Sequence, residues 1–324
     1  MSDSTQQNSN DLTTNPGWEK TVLEKIALSA IEEQKRARHW STFFKLLTFL
    51  YLALVLYKVF VPGFGIDATR SGGSHTAVID VVGMITEDSE SNADRVTKGL
   101  REAADDKATK GIILRMNTPG GTPVQSAYIY DEIRRIKQQH PELPIISVVS
   151  DICASGGYYV ASAADKIFVN KSSLIGSIGV LLNGFGFVDT MKKLGVERRL
   201  LTAGSHKGIM DPFLPMKKDD QEHVEHVLST VHQHFIDAVK AGRGERLHAD
   251  PRIFTGLFWS GEEGIQLGLA DGVGTVRSIA EQEIGETNLV NFTPQENLLD
   301  RLGGKFKVAF RLAIQEYASG ISIQ

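Results

Sequence analysis

A serine followed by two glycines is the first place in this chain where the residue types could do chemistry. Ser155 lies in the run CASGGYY, residues 153–159, between a strand-like run at 144–149 and a run of small residues at 160–164. That order predicts a strand, a tight turn and a helix, which would hold Ser155 at a helix N-terminus, where unpaired backbone N–H groups favour negative charge. A nucleophile that must stabilise an oxyanion needs such a place. The match to the G-x-S-x-G nucleophile elbow is incomplete because Cys153 replaces the first glycine, and Ser-Gly-Gly is also an ordinary turn.

A second glycine loop lies upstream of this serine. The sequence NTPGG, residues 117–121, follows an apolar run at 110–116 and precedes a helix-like segment at 123–138. A short apolar run bounded by turn residues is typical of a buried parallel strand. The loop after it could present backbone N–H groups to an anion, but any α/β protein has similar loops.

Together these stretches resemble the signal peptide peptidase A (protease IV) family of bacterial membrane serine proteases. The resemblance covers roughly residues 75–282, and the chain length of 324 residues matches the half-size members, which carry one catalytic unit. The matching motifs are NTPGG at 117–121, ASGGYY at 154–159, GSIGV at 176–180, Lys207-Gly208, and GLAD at 268–271.

The resemblance implies a serine endopeptidase with a Ser-Lys dyad. Ser155 would be the nucleophile, Lys207 the general base, and Ser177 the hydroxyl that orients the lysine. A lysine can serve as a base only in its neutral form, so its surroundings would have to disfavour the charged form. Without the resemblance, Lys207 would be interpreted as a solvated surface lysine.

The resemblance also implies an oxyanion hole and an assembly. The backbone N–H groups of Gly121 and Gly156 would hold the oxyanion, with Gly120 shaping the loop. In half-size members the neighbouring protomer supplies the lysine, so the active site would be complete only in a homo-oligomeric ring. The implied substrates are signal-peptide remnants or other membrane-associated peptides.

The fold class expected from the sequence is α/β. Strands are predicted at 78–85, 110–116, 144–149 and 166–170, with helices at 92–105, 123–138 and 217–240. Alternating strands and helices indicate a parallel sheet with right-handed crossovers. The resemblance adds that this fold is the spiral of ββα units shared by Clp proteases and crotonases, preceded by one N-terminal transmembrane helix.

Residues 40–61 are the membrane candidate. The stretch at 46–57 is uncharged and lies between Lys45 and Lys58, although a spanning helix needs about 20 apolar residues. Basic residues at 35, 36 and 38 place the N-terminus in the cytoplasm by the positive-inside rule. We therefore expect a single-pass protein of the bacterial inner membrane with a periplasmic catalytic domain.

The expected domain organisation follows from these segments. It consists of a cytoplasmic tail at 1–39, the anchor at 40–61, a Gly/Ser linker at 62–74, the peptidase domain at 75–282 and a C-terminal tail at 283–324. Within the first segment, residues 18–31 have the apolar spacing of an amphipathic helix.

Composition narrows the possible partners. A net charge of −4 argues against nucleic acid as a main partner. Cys153 is the single cysteine, so no internal disulfide can form, and we interpret it as a packing residue. His223 and His226 could share a helix face and bind a metal, but no H-E-x-x-H motif is present, so we expect neither a metal nor a cofactor.

Two other classes of function stay open at this point. A crotonase-like acyl-CoA enzyme would share the fold and the oxyanion loops, but would need neither a membrane anchor nor a Ser155–Lys207 pair. A non-catalytic membrane scaffold would need none of the site residues. Labelling of Ser155 by a fluorophosphonate would separate a serine peptidase from both.

Overall fold

The structure is a computed structural model, and it describes residues 18–60 and 73–294. The chain divides into two compact units, of which one comprises residues 68–295 and the other holds the N-terminal helix. The predictions for the first 17 residues, for the last residue of the anchor (61), for residues 62–72 of the linker and for residues 295–324 of the tail lie outside the described residues.

The N-terminal unit contains one continuous helix, α1, Trp18–Phe60, of 43 residues. The sequence predicts two separate elements here, at 18–31 and 40–61. They are continuous because residues 32–39 (EEQKRARH) contain no glycine or proline and consist mainly of strong helix formers. Across the described parts of the chain, no helix combines the length and the apolar character that crossing a membrane requires. The predicted transmembrane helix at 40–61 is therefore not confirmed.

The second unit is built on one mixed sheet of eight strands. The strands are β1 His75–Val82, β2 Thr109–Thr118, β3 Ile145–Ala154, β4 Lys166–Val169, β5 Leu174–Gly176, β6 Phe258–Ser260, β7 Gly272–Val273 and β8 Leu289–Asn291. Their order is β6-β5-β3-β2-β1-β8, with β4 pairing with β3 and β7. All pairs are parallel except β5 with β6, so the predicted parallel α/β arrangement is confirmed for the strands that position the site.

Helices connect and cover these strands. They are α2 Ala93–Asp105, α3 Pro123–Gln139, α4 Gly156–Ala161, α5 Val188–Leu194, α6 Lys218–Arg243, α7 Gly261–Gln266 and α8 Val276–Ile279, with short 3₁₀ turns at Gly244–Arg246 and Pro251–Phe254 and a π-helical turn at Ala280–Ile284. The side chain of Asn92 caps α2 by accepting from the N–H of Arg95. This cap explains why α2 begins where the sequence predicts it.

The sheet is buried on both faces. Alternate residues of β2 belong to different apolar clusters: Ile112 and Leu114 pack in the larger one, and Ile113 packs in the smaller one. The larger cluster includes apolar residues of α2, α3, α4 and α6, whereas the smaller one includes Ile279 of α8. Burial on both faces accounts for the continuous apolar runs by which these strands were predicted.

Two differences from the sequence predictions concern the ends of the domain's elements. β3 extends to Ala154 instead of ending at residue 149, because its last residues pair with the three-residue strand β5. β8 pairs with β1 beyond residue 282, the predicted end of the peptidase domain.

Candidate active site

Ser155 and Ser177 lie directly after two neighbouring parallel strands. In the register of β3 and β5, Ala154 pairs with Gly176. The backbone N–H of Ser155 donates a hydrogen bond to the carbonyl oxygen of Gly176 over 2.8 Å. Because parallel strands end at the same edge of a sheet, both serines lie at the edge where ligands bind in open α/β sheets.

Both serines have a backbone conformation that serine rarely adopts. Ser155 has φ of 51° and ψ of −126°, and Ser177 has φ of 50°. Such a conformation costs on the order of 1–3 kcal/mol and persists only where the surrounding structure imposes it. At Ser155, the N–H of Tyr159 donates to its carbonyl oxygen over 3.0 Å, and at Ser177, the N–H donates to the carbonyl oxygen of Leu257 over 2.8 Å. These bonds fix the turns that place the two side chains.

The glycine loop after β2 packs directly against Ser155. Gly120 has φ of 104°, and a Cβ atom there would lie 2.7 Å from the backbone nitrogen of Gly156 and 2.8 Å from the Cβ of Ser155. No side chain fits between the two loops. The structure therefore brings together Gly120 and Gly156 as the sequence predicts, and the reason is this close backbone approach.

Gly121 is held by a bridge to Ile85. The N–H of Ile85 donates to the carbonyl of Gly120 over 2.9 Å, and the N–H of Thr122 donates to the carbonyl of Ile85 over 2.9 Å. The N–H of Gly121 takes part in neither of these two hydrogen bonds. A Cβ on Gly156 would lie 3.1 Å from the nitrogen of Gly121, so the two glycines are neighbours.

Gly121 and Gly156 thus offer two adjacent backbone donors beside Ser155. Gly156 is the first residue of α4, where an N–H has no partner within the helix. Within residues 73–294, neither of these N–H groups donates a hydrogen bond to a backbone carbonyl in a turn, loop or helix cap. Two adjacent N–H groups beside a serine with a strained backbone are an arrangement that can stabilise an oxyanion in acyl transfer.

Ser126 is a site residue that the sequence analysis missed. It lies in α3, is fully buried, and donates through its hydroxyl to the carbonyl of Thr122 over 3.0 Å. A Cβ on Gly156 would lie only 2.3 Å from the Ser126 Oγ. The side chain of Ser126 therefore packs directly against Gly156. A serine in the first turns of a helix is ordinary, so the sequence held no signal of this contact.

The residues around Ser155 are firmly buried. Cys153 is inaccessible to solvent and belongs to the larger core cluster, which fits its interpretation as a packing residue. Burial raises the pKa of the Cys153 thiol well above its ordinary value, so it is not a thiolate nucleophile. Tyr158 is likewise buried and donates to the carbonyl of Leu269 over 2.7 Å, which ties α4 to the GLAD motif.

The GLAD motif contributes structure and not chemistry. Asp271 accepts two hydrogen bonds from the guanidinium of Arg243, at 2.8 and 2.9 Å, and one from the N–H of Ile167 at 2.7 Å. Burial alone would raise the pKa of Asp271, but these hydrogen bonds outweigh it and hold the pKa below its ordinary value. The buried Arg243 in this way fastens the end of α6 to the core beneath the site.

Lys207 is placed differently from the other predicted site residues. It is exposed and lies in a turn that its own N–H closes by donating to the carbonyl of Gly204 over 3.2 Å. No hydrogen bond or ion pair joins its side chain to Ser155 or Ser177 anywhere in the described chain. The structure therefore brings together Ser155, Ser177 and the glycine loop, whereas the side chain of Lys207 makes no hydrogen bond or ion pair with either serine within residues 73–294.

The histidines of α6 differ in their surroundings. His232 donates through Nε2 to the carbonyl of Ile178 over 3.1 Å, next to Ser177, whereas His223, His226 and His234 are exposed. The three residues whose ligand atoms cluster within 4.8 Å of one another are His206, Asp219 and Asp220. Two of these lie in the first turn of α6, where the helix dipole disfavours a cation.

Comparison with known proteins is consistent with this site. The profile of peptidase family S49 matches residues 137–289, which include Ser155, Ser177 and Lys207. A protein of Methanocaldococcus jannaschii, provisionally named protease MJ0651, is 30% identical over 213 residues, covering 66% of this chain and 68% of that protein. A provisionally named signal peptide peptidase SppA of Enterococcus faecium is 28% identical over 247 residues, covering 73% of this chain and 71% of that protein.

Another relative extends well beyond the shared region. A protein of Brucella abortus named Na(+)/H(+) antiporter NhaA is 43% identical over 203 residues, which cover 62% of this chain but 27% of that protein. The chain thus spans about a quarter of the length of that relative. Family profile, protease relatives and the geometry around Ser155 agree: the chain belongs to peptidase family S49, the family of the SppA and protease 4 enzymes.

Proposed function

We propose that this chain is a serine endopeptidase that cleaves peptides through an acyl-enzyme on Ser155. The observation that carries the proposal is the position of Ser155, strained at φ of 51°, beside two backbone N–H groups, those of Gly121 and Gly156. Acyl transfer needs hydrogen-bond donors beside the nucleophile, and a strained backbone of this kind occurs mainly at functional sites.

The reaction follows from these atoms. The Oγ of Ser155 attacks the scissile carbonyl carbon, its proton passes to the base, and the carbonyl electron pair moves onto the oxygen, to which the two glycine N–H groups donate hydrogen bonds. Collapse of this intermediate breaks the C–N bond, and the base returns the proton to the leaving amine. A water molecule then hydrolyses the acyl-enzyme by the same steps.

We propose Lys207 as the base and Ser177 as the hydroxyl that orients it, with Lys207 supplied by a neighbouring protomer of a homo-oligomeric ring. Two observations support this assignment. The side chain of Lys207 has no recorded hydrogen bond to the serines of its own chain within residues 73–294. The segment at 181–217 that carries it also exposes large apolar side chains, with Leu201 97%, Phe185 82% and Leu181 79% exposed. Such a surface is typical of a region covered in an assembly.

The remaining parts of the proposal rest on the sequence. We propose that the mixed sheet belongs to the Clp protease/crotonase-like spiral of ββα units, and that the substrates are signal-peptide remnants or other membrane-associated peptides. The location at the bacterial inner membrane, with the peptidase domain in the periplasm, stays a prediction from the basic residues at 35–38 and the uncharged stretch at 46–57. A reporter fused after Gln324 that is active only in the periplasm tests it, and cytoplasmic reporter activity would reverse it.

The test of the function is active-site labelling. A fluorophosphonate probe should attach to the peptide that contains Ser155, as located by mass spectrometry, and Ser155→Ala should abolish both labelling and cleavage of an apolar fluorogenic peptide. Ser172→Ala is the matched control, since Ser172 is exposed and lies outside the site. Turnover of an acyl-CoA thioester with no labelling would instead support the crotonase-like alternative.

A further inference from the structure

Asp220 is a buried carboxylate, and among the described residues its ion-pair partner is His206. It lies in the first turn of α6, and its side chain is 8% exposed. Its recorded side-chain hydrogen bond comes from Nδ1 of His206, over 2.5 Å. A buried carboxylate is costly unless it is paired and hydrogen-bonded, so this contact fixes where His206 can lie.

His206 is the residue immediately before Lys207. The Nδ1 contact to Asp220 holds the ring, and the carbonyl of His206 accepts from the N–H of Ile209 over 3.0 Å. The N–H of Lys207 closes the preceding turn onto Gly204. The backbone of Lys207 is therefore fixed on both sides, although its own side chain makes no recorded hydrogen bond or ion pair in the described chain.

The same contact ties the whole segment at 181–217 to the rest of the domain. Within residues 73–294, the other side-chain hydrogen bonds of this segment stay inside it, such as Arg198 to Asp211 at 3.1 Å and Lys217 to the carbonyl of Ser205 at 3.4 Å. His206 to Asp220 is the side-chain hydrogen bond that leaves it.

We propose that His206 and Asp220 are positioning residues for the general base: Asp220 holds His206 at the start of α6, and His206 thereby sets the direction of Lys207. This inference rests on the proposed role of Lys207. It applies whether Lys207 serves its own chain or a neighbour, because His206 and Lys207 are adjacent in one chain. A displacement of about 1 Å at a catalytic group can lower the rate on the order of a hundredfold.

The closing experiment is a double-mutant cycle with a rescue variant. His206→Ala should lower kcat by about 10- to 100-fold with little change in KM, since the contact orients a base and touches no substrate. His206→Asn should recover much of that loss, because its amide nitrogen stands near the place of Nδ1 and can still donate to Asp220. Measured on the residual rate of Lys207→Met above that of Ser155→Ala, His206→Ala should have almost no further effect, because the residue through which it acts is gone. His234→Ala, at an exposed histidine of α6, the helix that carries Asp220, is the matched control.

The outcomes separate this inference from the proposed function. If Lys207→Met keeps normal activity, the assignment of the base fails. If Lys207→Met is inactive while His206→Ala stays within twofold of the parent, positioning by His206 is wrong. The inference would also be overturned if His206→Ala lowered the parental rate and the residual rate of Lys207→Met by the same factor. It would be overturned as well if His206→Asn unfolded at the parental temperature but recovered none of the lost kcat.

Discussion

The backbone N–H of Ser155 donates to the carbonyl oxygen of Gly176 over 2.8 Å, and this contact joins the ends of two strands that are 20 residues or more apart in the chain. Because Ser177 follows Gly176 directly, the bond also sets the distance between the two serines. Both turns are strained, with φ of 51° at Ser155 and 50° at Ser177. Backbone hydrogen bonds maintain this strain, although glycine at either position would relieve it, which fits the roles proposed for the two serine side chains.

The strain at Ser155 leads to a prediction about stability. Ser155→Ala and Ser155→Gly should both be inactive, but the glycine variant should be the more stable of the two by about 1 kcal/mol, because glycine adopts positive φ without steric conflict. In a domain of this size that difference corresponds to about 2–4 °C in Tm. Thermal unfolding monitored by circular dichroism measures it, and an alanine variant as stable as the glycine variant would show that the turn is unstrained.

The packing of Gly156 gives a prediction about the oxyanion donors. In Gly156→Ala the methyl group would lie 2.3 Å from the Oγ of Ser126 and 3.1 Å from the nitrogen of Gly121. This variant should lose both stability and activity. Adding Ser126→Ala removes the closest conflict and leaves the Ser126 Cβ at 3.4 Å, so the double variant should regain stability.

Activity should not return with stability in that double variant. The methyl group still crowds the N–H of Gly121, and removing one oxyanion donor lowers kcat on the order of a hundredfold or more. Gly184→Ala is the control, because nothing lies within 4 Å of a Cβ there. Parental kcat in a well-folded Ser126→Ala/Gly156→Ala chain would contradict the assignment of these glycines to an oxyanion hole.

The sequence predicts those parts of the site that depend on residues close together in the chain. The apolar runs of β2 and β3 predict strands whose ends carry the glycine loop and Ser155, and parallel pairing then brings these loops together. The lengthening of β3 to Ala154 was not predictable, because it depends on pairing with β5, which has three residues and no pattern of its own.

Parts of the site that depend on contacts between distant segments were not predictable. Ser126 supports Gly156 across an interface between two helices, and neither residue type signals the contact. The link from His206 to Asp220 joins an exposed segment to a helix that begins twelve residues further on, at Lys218. Resemblance to a family could name Lys207, but it could not indicate what holds it.

A third prediction concerns acid stability and Glu132 of α3. Hydrogen bonds from Arg135 at 2.6 Å and Arg101 at 2.7 Å hold the pKa of Glu132 at about 2, below its ordinary value of 4.5. A carboxyl group with a lowered pKa in the folded state stabilises the fold above its unfolded pKa, and this contribution is lost as pH falls from about 4.5 towards 2.

Glu132→Gln should therefore unfold at a lower temperature than the parent at neutral pH, and the difference should shrink as pH falls through that window. Glu142→Gln, an exposed glutamate just after the same helix, serves as the control. Thermal unfolding across the pH range measures both variants. A constant difference between the Glu132→Gln variant and the parent would mean that the two arginines do not stabilise the ionised carboxyl group.

The last prediction tests where the base comes from. Lys207→Met should be inactive yet as stable as the parent, because the exposed Lys207 side chain has no recorded hydrogen bond or ion pair in the described chain. If a neighbouring protomer supplies the base, mixing inactive Ser155→Ala chains with inactive Lys207→Met chains should restore part of the activity. Some interfaces then combine an intact Ser155 with an intact Lys207, and these alone should take up a fluorophosphonate. The label should appear on the Lys207→Met chains, which retain Ser155, and this can be read by mass. Co-assembled chains that stay inactive would place the base within its own chain.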